Sequence, residues 1–63
     1  MTKQEREEFN MAVEDIYDEY LMKTEGRGLS YGEVAHIEEL SDDEARALYD
    51  ECFNELVKIE ENK

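Results

Sequence analysis

Residues 41–62, S-D-D-E-A-R-A-L-Y-D-E-C-F-N-E-L-V-K-I-E-E-N, decide how this chain folds. Ala45, Leu48, Tyr49, Cys52, Phe53, Leu56 and Val57 recur at three- and four-residue intervals. On a helix of ~3.6 residues per turn that spacing draws one apolar side. Asp43, Glu44, Asp50, Glu51, Glu55 and Glu61 fall mostly on the other side. The apolar arc covers roughly half the circumference, enough to touch two neighbours. Those neighbours are either the rest of this chain or a second copy of it.

Three capping boxes punctuate the sequence. Ser41-Asp42-Asp43-Glu44 opens this helix, a hydroxyl followed three residues later by a carboxylate. Upstream, Ser30-Tyr31-Gly32-Glu33 repeats the device, with Leu29 and Val34 placed as a hydrophobic staple. Thr2-Lys3-Gln4-Glu5 gives it a third time. The pattern predicts helices over 3–24, 31–40 and 42–61. The first carries Phe9, Ala12, Val13, Ile16, Tyr17, Tyr20 and Leu21 as its stripe, the short second one Tyr31, Val34, Ile37 and Leu40. Gly26 or Gly28 supplies the left-handed residue that ends the first helix. No stretch alternates with period two, so no sheet is expected. The expected fold is all-α, one small three-helix domain over 1–63, either a compact bundle or a dimer around the third helix.

At 63 residues the core is near the lower limit of self-sufficiency. An ordinary catalytic cleft does not fit inside it, so the chain is read as non-enzymatic. Nineteen acids against seven bases give a net charge of −12. Such a balance repels itself and approaches that of disordered chains. Against disorder, 40% of residues are hydrophobic, periodically placed, with no Pro and three Gly. Few bases argue against direct contact with nucleic acid or anionic membranes. A basic protein surface is the natural partner. The lone Cys52 reads as a small core residue in a reducing compartment. The N-terminal T-K-Q-E-R-E-E lacks the apolar core of a secretory signal, and no apolar run reaches ~20 residues. A cytoplasmic location is expected.

The acids are ordered. Glu7, Glu14, Asp18 and Glu25 project in one file on the first helix. Asp43, Asp50 and Glu61 form the matching file on the third, with Asn54 in the place of Asp18. At an offset of 36 the two helices match in pattern, apolar over apolar and acid over acid, as acidic amphipathic helices in general do. Met11 and Met22 interrupt the acidic side of the first helix, near Asp15. Flexible apolar groups in a charged field suit adaptable contacts. The plainer readings are a solubilising face and ordinary scattered apolar residues.

Other chemistries find less support. Glu33-Val34-Ala35-His36 has the Glu-x-x-His spacing of helix-borne metal ligands, but a carboxylate site needs two such motifs and the chain has one His. The residues before Gly26 and Gly32 lack the ligands of a calcium loop. Cys52 and His36 fall on different helices, and Ser30 and Ser41 already serve as caps. No metal or cofactor is expected. Arg27, between two glycines, is read as the most exposed base.

In size and charge the chain resembles small phage or mobile-element proteins that block host enzymes by imitating DNA. The expectation is a non-enzymatic inhibitor or modulator that binds a basic, nucleic-acid-binding protein. Glu7, Glu14, Asp15, Asp18, Asp43, Asp50 and Glu51 would supply the charge, and Met11 and Met22 the apolar contact. The alternative is an interaction module, homodimeric or adaptor-like, that works through apolar helix faces.

Overall fold

The computed structural model describes residues 1–62. They form α1 (Lys3–Glu25), α2 (Tyr31–Glu39) and α3 (Asp42–Glu61), with no strand among the described residues. Each helix starts at its capping box. The Thr2, Ser30 and Ser41 hydroxyls accept from the amides of Glu5, Glu33 and Glu44, and each Glu carboxylate accepts in return from the cap's own N–H. α1 stops at Gly26, whose φ of 69° is the left-handed value that glycine adopts without strain. The observed bounds differ from the expected ones by a single residue at the ends of α1 and α2.

α1 and α3 run in the same direction. The start of α1 meets the start of α3, where Arg6 donates to Asp42 at 2.8 Å and the Met1 amine lies 3.0 Å from the same carboxylate. The far ends meet where Lys23 bridges to Glu60. Two neighbouring helices can be parallel only if the chain returns between them. α1 is ~34 Å long, and the nine residues of α2 recover ~13 Å of that. The seven connecting residues, extended, supply up to ~23 Å more. α2 therefore lies back along α1, with Asp18 beside Leu29 and Arg6 beside Ile37.

The core between them consists of Val13 and Leu21 from α1, Ile37 from α2, and Ala45, Cys52 and Leu56 from α3. Phe9, Ile16, Tyr17, Tyr20, Val34, Leu48 and Tyr49 are half-buried around it. Four residues expected in the stripes lie outside it. Tyr31 is 95% exposed, because six residues of helix place it about 120° around from Ile37. Phe53 and Val57 are 50% and 39% exposed, on the flank of α3 that α2 does not reach. Ala12 is likewise exposed on α1.

Arg6 ties the three helices together. Its guanidinium donates to Asp42 of α3 at 2.8 Å, to the Ile37 carbonyl of α2 at 3.0 Å and to Asn10 of its own helix at 2.8 Å. The Ile37 carbonyl lies in the last turn of α2, where it accepts from the Leu40 N–H at 3.3 Å as well as from Arg6. Arg6→Ala is expected to lower stability to urea by about 2 kcal/mol, the scale of hydrogen bonds to a charged group in a partly buried site. Arg6→Lys recovers only part of that, since an ammonium lacks the planar fork. An unchanged urea midpoint for Arg6→Ala would refute this role.

Glu33 is the most constrained carboxylate. It accepts from Arg27 at 2.7 Å, from the Ser30 hydroxyl at 2.8 Å and from the Ser30 N–H at 3.3 Å. These donors, Arg27 first, hold its pKa at about 2 against an ordinary 4.5. A depressed carboxyl contributes fully above its unfolded pKa and loses that contribution as pH falls through the folded one. The α2 cap is therefore complete above about pH 4.5 and lost toward about pH 2. Carboxyl titration by NMR should place Glu33 near the lower value, and Arg27→Ala should move it back toward 4.5.

Candidate protein-binding faces

Glu7, Met11, Glu14, Asp15, Asp18 and Met22 lie on the flank of α1 turned away from α3. Met11 and Met22 are 67% and 53% exposed, with Glu7 and Asp15 open to solvent beside them. Glu14 and Asp18 are half-buried. Asp43, Asp50 and Glu51 are exposed on α3. Among the described residues Glu7, Glu14, Asp15, Asp43, Asp50 and Glu51 join no ion pair.

Asp18 differs from the other acids of its file. Its Oδ1 accepts from the Leu29 N–H at 2.8 Å and lies 3.2 Å from where a Cβ on Gly28 would sit. The residue clamps the α1–α2 connection, and Gly28 lets the backbone approach. The two acidic files also border different surfaces. The α1 file runs beside this connection, whereas the α3 file ends at Glu61, on the rim of a groove to which α2 contributes nothing. They form two separate strips.

That groove lies between α1 and α3 on the side opposite α2. Ile16, Tyr49, Phe53, Leu56 and Val57 line it, and Glu19, Lys23, Glu60 and Glu61 edge it, around a volume of about 520 Å3. Tyr49 and Phe53 stack within it, and Phe9, outside its lining, packs against Tyr49. Their ring centroids are 6.5 and 5.8 Å apart respectively, the first pair nearly parallel at 10°. The accessible surface of 4573 Å2 exceeds the roughly 4200 Å2 expected of a compact monomer of this mass. An uncovered helix-pair face accounts for a surplus of that sign.

Four of the bases pair with the chain's own acids, whereas Lys3 and Arg46 are exposed and join no ion pair among the described residues. Arg6 holds Asp42, Lys23 holds Glu19 and Glu60, and Lys58 lies 3.6 Å from Glu55. Arg27, expected to be the most exposed base, instead pairs with Glu25 at 3.1 Å and Glu33 at 2.7 Å, and Lys58 is more exposed. The Glu33 carboxylate is thereby engaged rather than aligned with His36. No cluster of three metal-ligating side chains occurs among the described residues. Cys52 is buried, and burial followed by the nearby Glu51 charge pushes its thiol pKa up, away from the thiolate needed for nucleophilic chemistry. No helix among the described residues is long and apolar enough to cross a membrane.

No protein-family model matches the chain, and comparison with curated proteins and with solved structures finds no match. Function must therefore be argued from these faces.

The sequence placed Ile16, Tyr49, Phe53 and Val57 on apolar stripes, left open whether the rest of this chain or a second copy covers them, and named none of them as a site residue. The signal for the groove was the width of the α3 arc beside a middle helix too short to cover both flanks. Asp18→Ala should leave the helices intact and speed amide exchange at Leu29 by about tenfold, the effect of losing one charge-assisted bond. Unchanged exchange would show that the connection holds without it.

Proposed function

We propose that this protein is a non-enzymatic acidic binding protein, an inhibitor or modulator that occupies the basic surface of a nucleic-acid-binding protein. The observation that carries this reading is the one-sided use of charge. Of the described bases Arg6, Lys23, Arg27 and Lys58 are engaged with the chain's own acids and only Lys3 and Arg46 are exposed and unpaired, while Glu7, Asp15, Asp43, Asp50 and Glu51 face solvent and join no ion pair. The outward field is thus negative on both strips. Such a field speeds encounter with a cationic groove and selects against nucleic acid itself. Duplex DNA carries a charge per ~1.7 Å of axis, so carboxylate-rich helices compete for the same groove by imitation of its charge. Met11 and Met22 add apolar contact within the α1 strip.

A second reading has its own support. The exposed Phe53 and Val57 favour an interaction module that grips a partner through apolar helix faces. Salt separates the two, since exposed charges are screened within ~10 Å at 0.1 M while apolar burial is not.

The test is capture on immobilised protein followed by competition with duplex DNA. The expected partner binds at ~0.1 M salt and elutes by ~0.5 M. It should also release its DNA when the chain is added, and be lost when Glu7, Asp15, Asp43 and Asp50 are all changed to Lys. A partner that stays bound at high salt and to the Lys variant would overturn the charge-led reading in favour of the apolar one.

A further inference from the structure

We infer that the α1/α3 groove is a docking site for a basic amphipathic helix of a partner protein, about three turns long, lying antiparallel to α1 and α3. This inference rests on the proposed binding of a basic partner and names the segment that makes the contact.

The shape comes from the helices. A trough between two parallel helices accepts the ridge of a third at 8–10 Å. The chain's own α2 packs on the opposite side and contributes nothing to this trough. From Tyr49 to Glu60 the open trough runs about 16 Å along α3, the length of ~11 helical residues. Its floor is apolar, with Phe53 and Val57 half-exposed, which suits side chains recurring at three- and four-residue intervals. The chain offers no sheet edge among its described residues to which an extended segment could add.

Charge selects the occupant. Glu19, Glu60 and Glu61 border the groove at one end, and Lys23 there already bridges Glu19 and Glu60. Because α1 and α3 are parallel, both present their C-terminal ends at that same end, adding partial negative charge from each backbone. A bound helix therefore places its N-terminal end and its cations beside Glu60 and Glu61, which makes it antiparallel to its hosts. A second copy fits poorly by the same measure, since pairing would bring together two chains of net charge −12.

The test uses a fluorescein-labelled peptide of about 14 residues, with Leu at helical spacing and Lys elsewhere. Two controls accompany it, one with the same residues shuffled to break the spacing and one with Glu for Lys. Anisotropy should show the spaced Lys peptide binding at least ~10-fold more tightly than either control. The Phe53→Ser/Val57→Ser variant should weaken it by a similar factor, and Tyr31→Ser, at an exposed position on α2, should leave it unchanged. Both groove positions are part-exposed, and helicity by circular dichroism checks that the variant folds. Amide shifts of the unmodified protein give an independent readout, with changes expected at Ile16, Tyr49, Phe53 and Val57. A spin label at the peptide N-terminus should broaden Glu60 and Glu61 rather than Arg46.

Equal binding of the shuffled Lys peptide would overturn the groove while leaving the acidic binder standing. Failure of every Lys peptide to bind would overturn both. A concentration-dependent dimer abolished by Phe53→Ser/Val57→Ser would assign the groove to a second copy.

Discussion

The Arg6 guanidinium holds the architecture at one end. With one planar group it neutralises Asp42 at the first turn of α3, satisfies the Ile37 carbonyl at the last turn of α2, and braces Asn10 on α1. It thereby fixes two helix starts and one helix end at the same place. Only a path that runs out along α1, back along α2 and out again along α3 meets that requirement. A lysine at this position would supply the charge without the fork that reaches three acceptors in different directions.

Much of the surface chemistry follows from that path. Parallel long helices put both C-terminal ends, with Glu60, Glu61 and Glu25, at one end of the molecule, where Lys23 pairs with Glu60 and Arg27 with Glu25. A single short return helix covers one flank of the pair. The result is a slab of 38 × 21 × 15 Å with six buried side chains among the described residues. That thinness leaves no room for an enclosed site, so any specific recognition has to occur on an open face. The same constraint that makes the fold attainable in so few residues leaves Phe53 and Val57 half in water.

The local signals in the sequence were strong, and the global ones were not. Thr2, Ser30 and Ser41 each start a helix because a hydroxyl and a carboxylate three residues apart close on the same backbone groups, a purely local event. Gly26 ends α1 for an equally local reason. The offset of 36 between the acidic patterns is also the separation of Arg6 from Asp42, and nearly that of Lys23 from Glu60, so the two helices lie side by side in that register. What projection cannot provide is which neighbour covers which flank. Phe53 and Cys52 are adjacent on one stripe, yet Cys52 is buried and Phe53 is half-exposed, because α2 falls on one side only. Asp18 looked like any other member of its file until the returning backbone brought the Leu29 amide to it. Arg27 looked free for the same reason, since its partner Glu33 lies beyond the turn.

Charge and packing here pull in opposite directions, and a partner of the proposed kind would resolve both. Carboxylates without cations raise the free energy of any compact state, while the small core gives little to oppose them. A basic amphipathic segment in the groove would cover the half-exposed Phe53 and Val57 and neutralise the rim in one event. By linkage, whatever binds the folded chain and not the unfolded one adds to its stability in proportion to the logarithm of its concentration over its dissociation constant. An acidic three-helix chain with an open trough would therefore gain most from a partner that is both cationic and apolar on one side. A purely cationic surface would relieve the repulsion and leave the trough wet, and a purely apolar one would fill the trough and leave the repulsion in place.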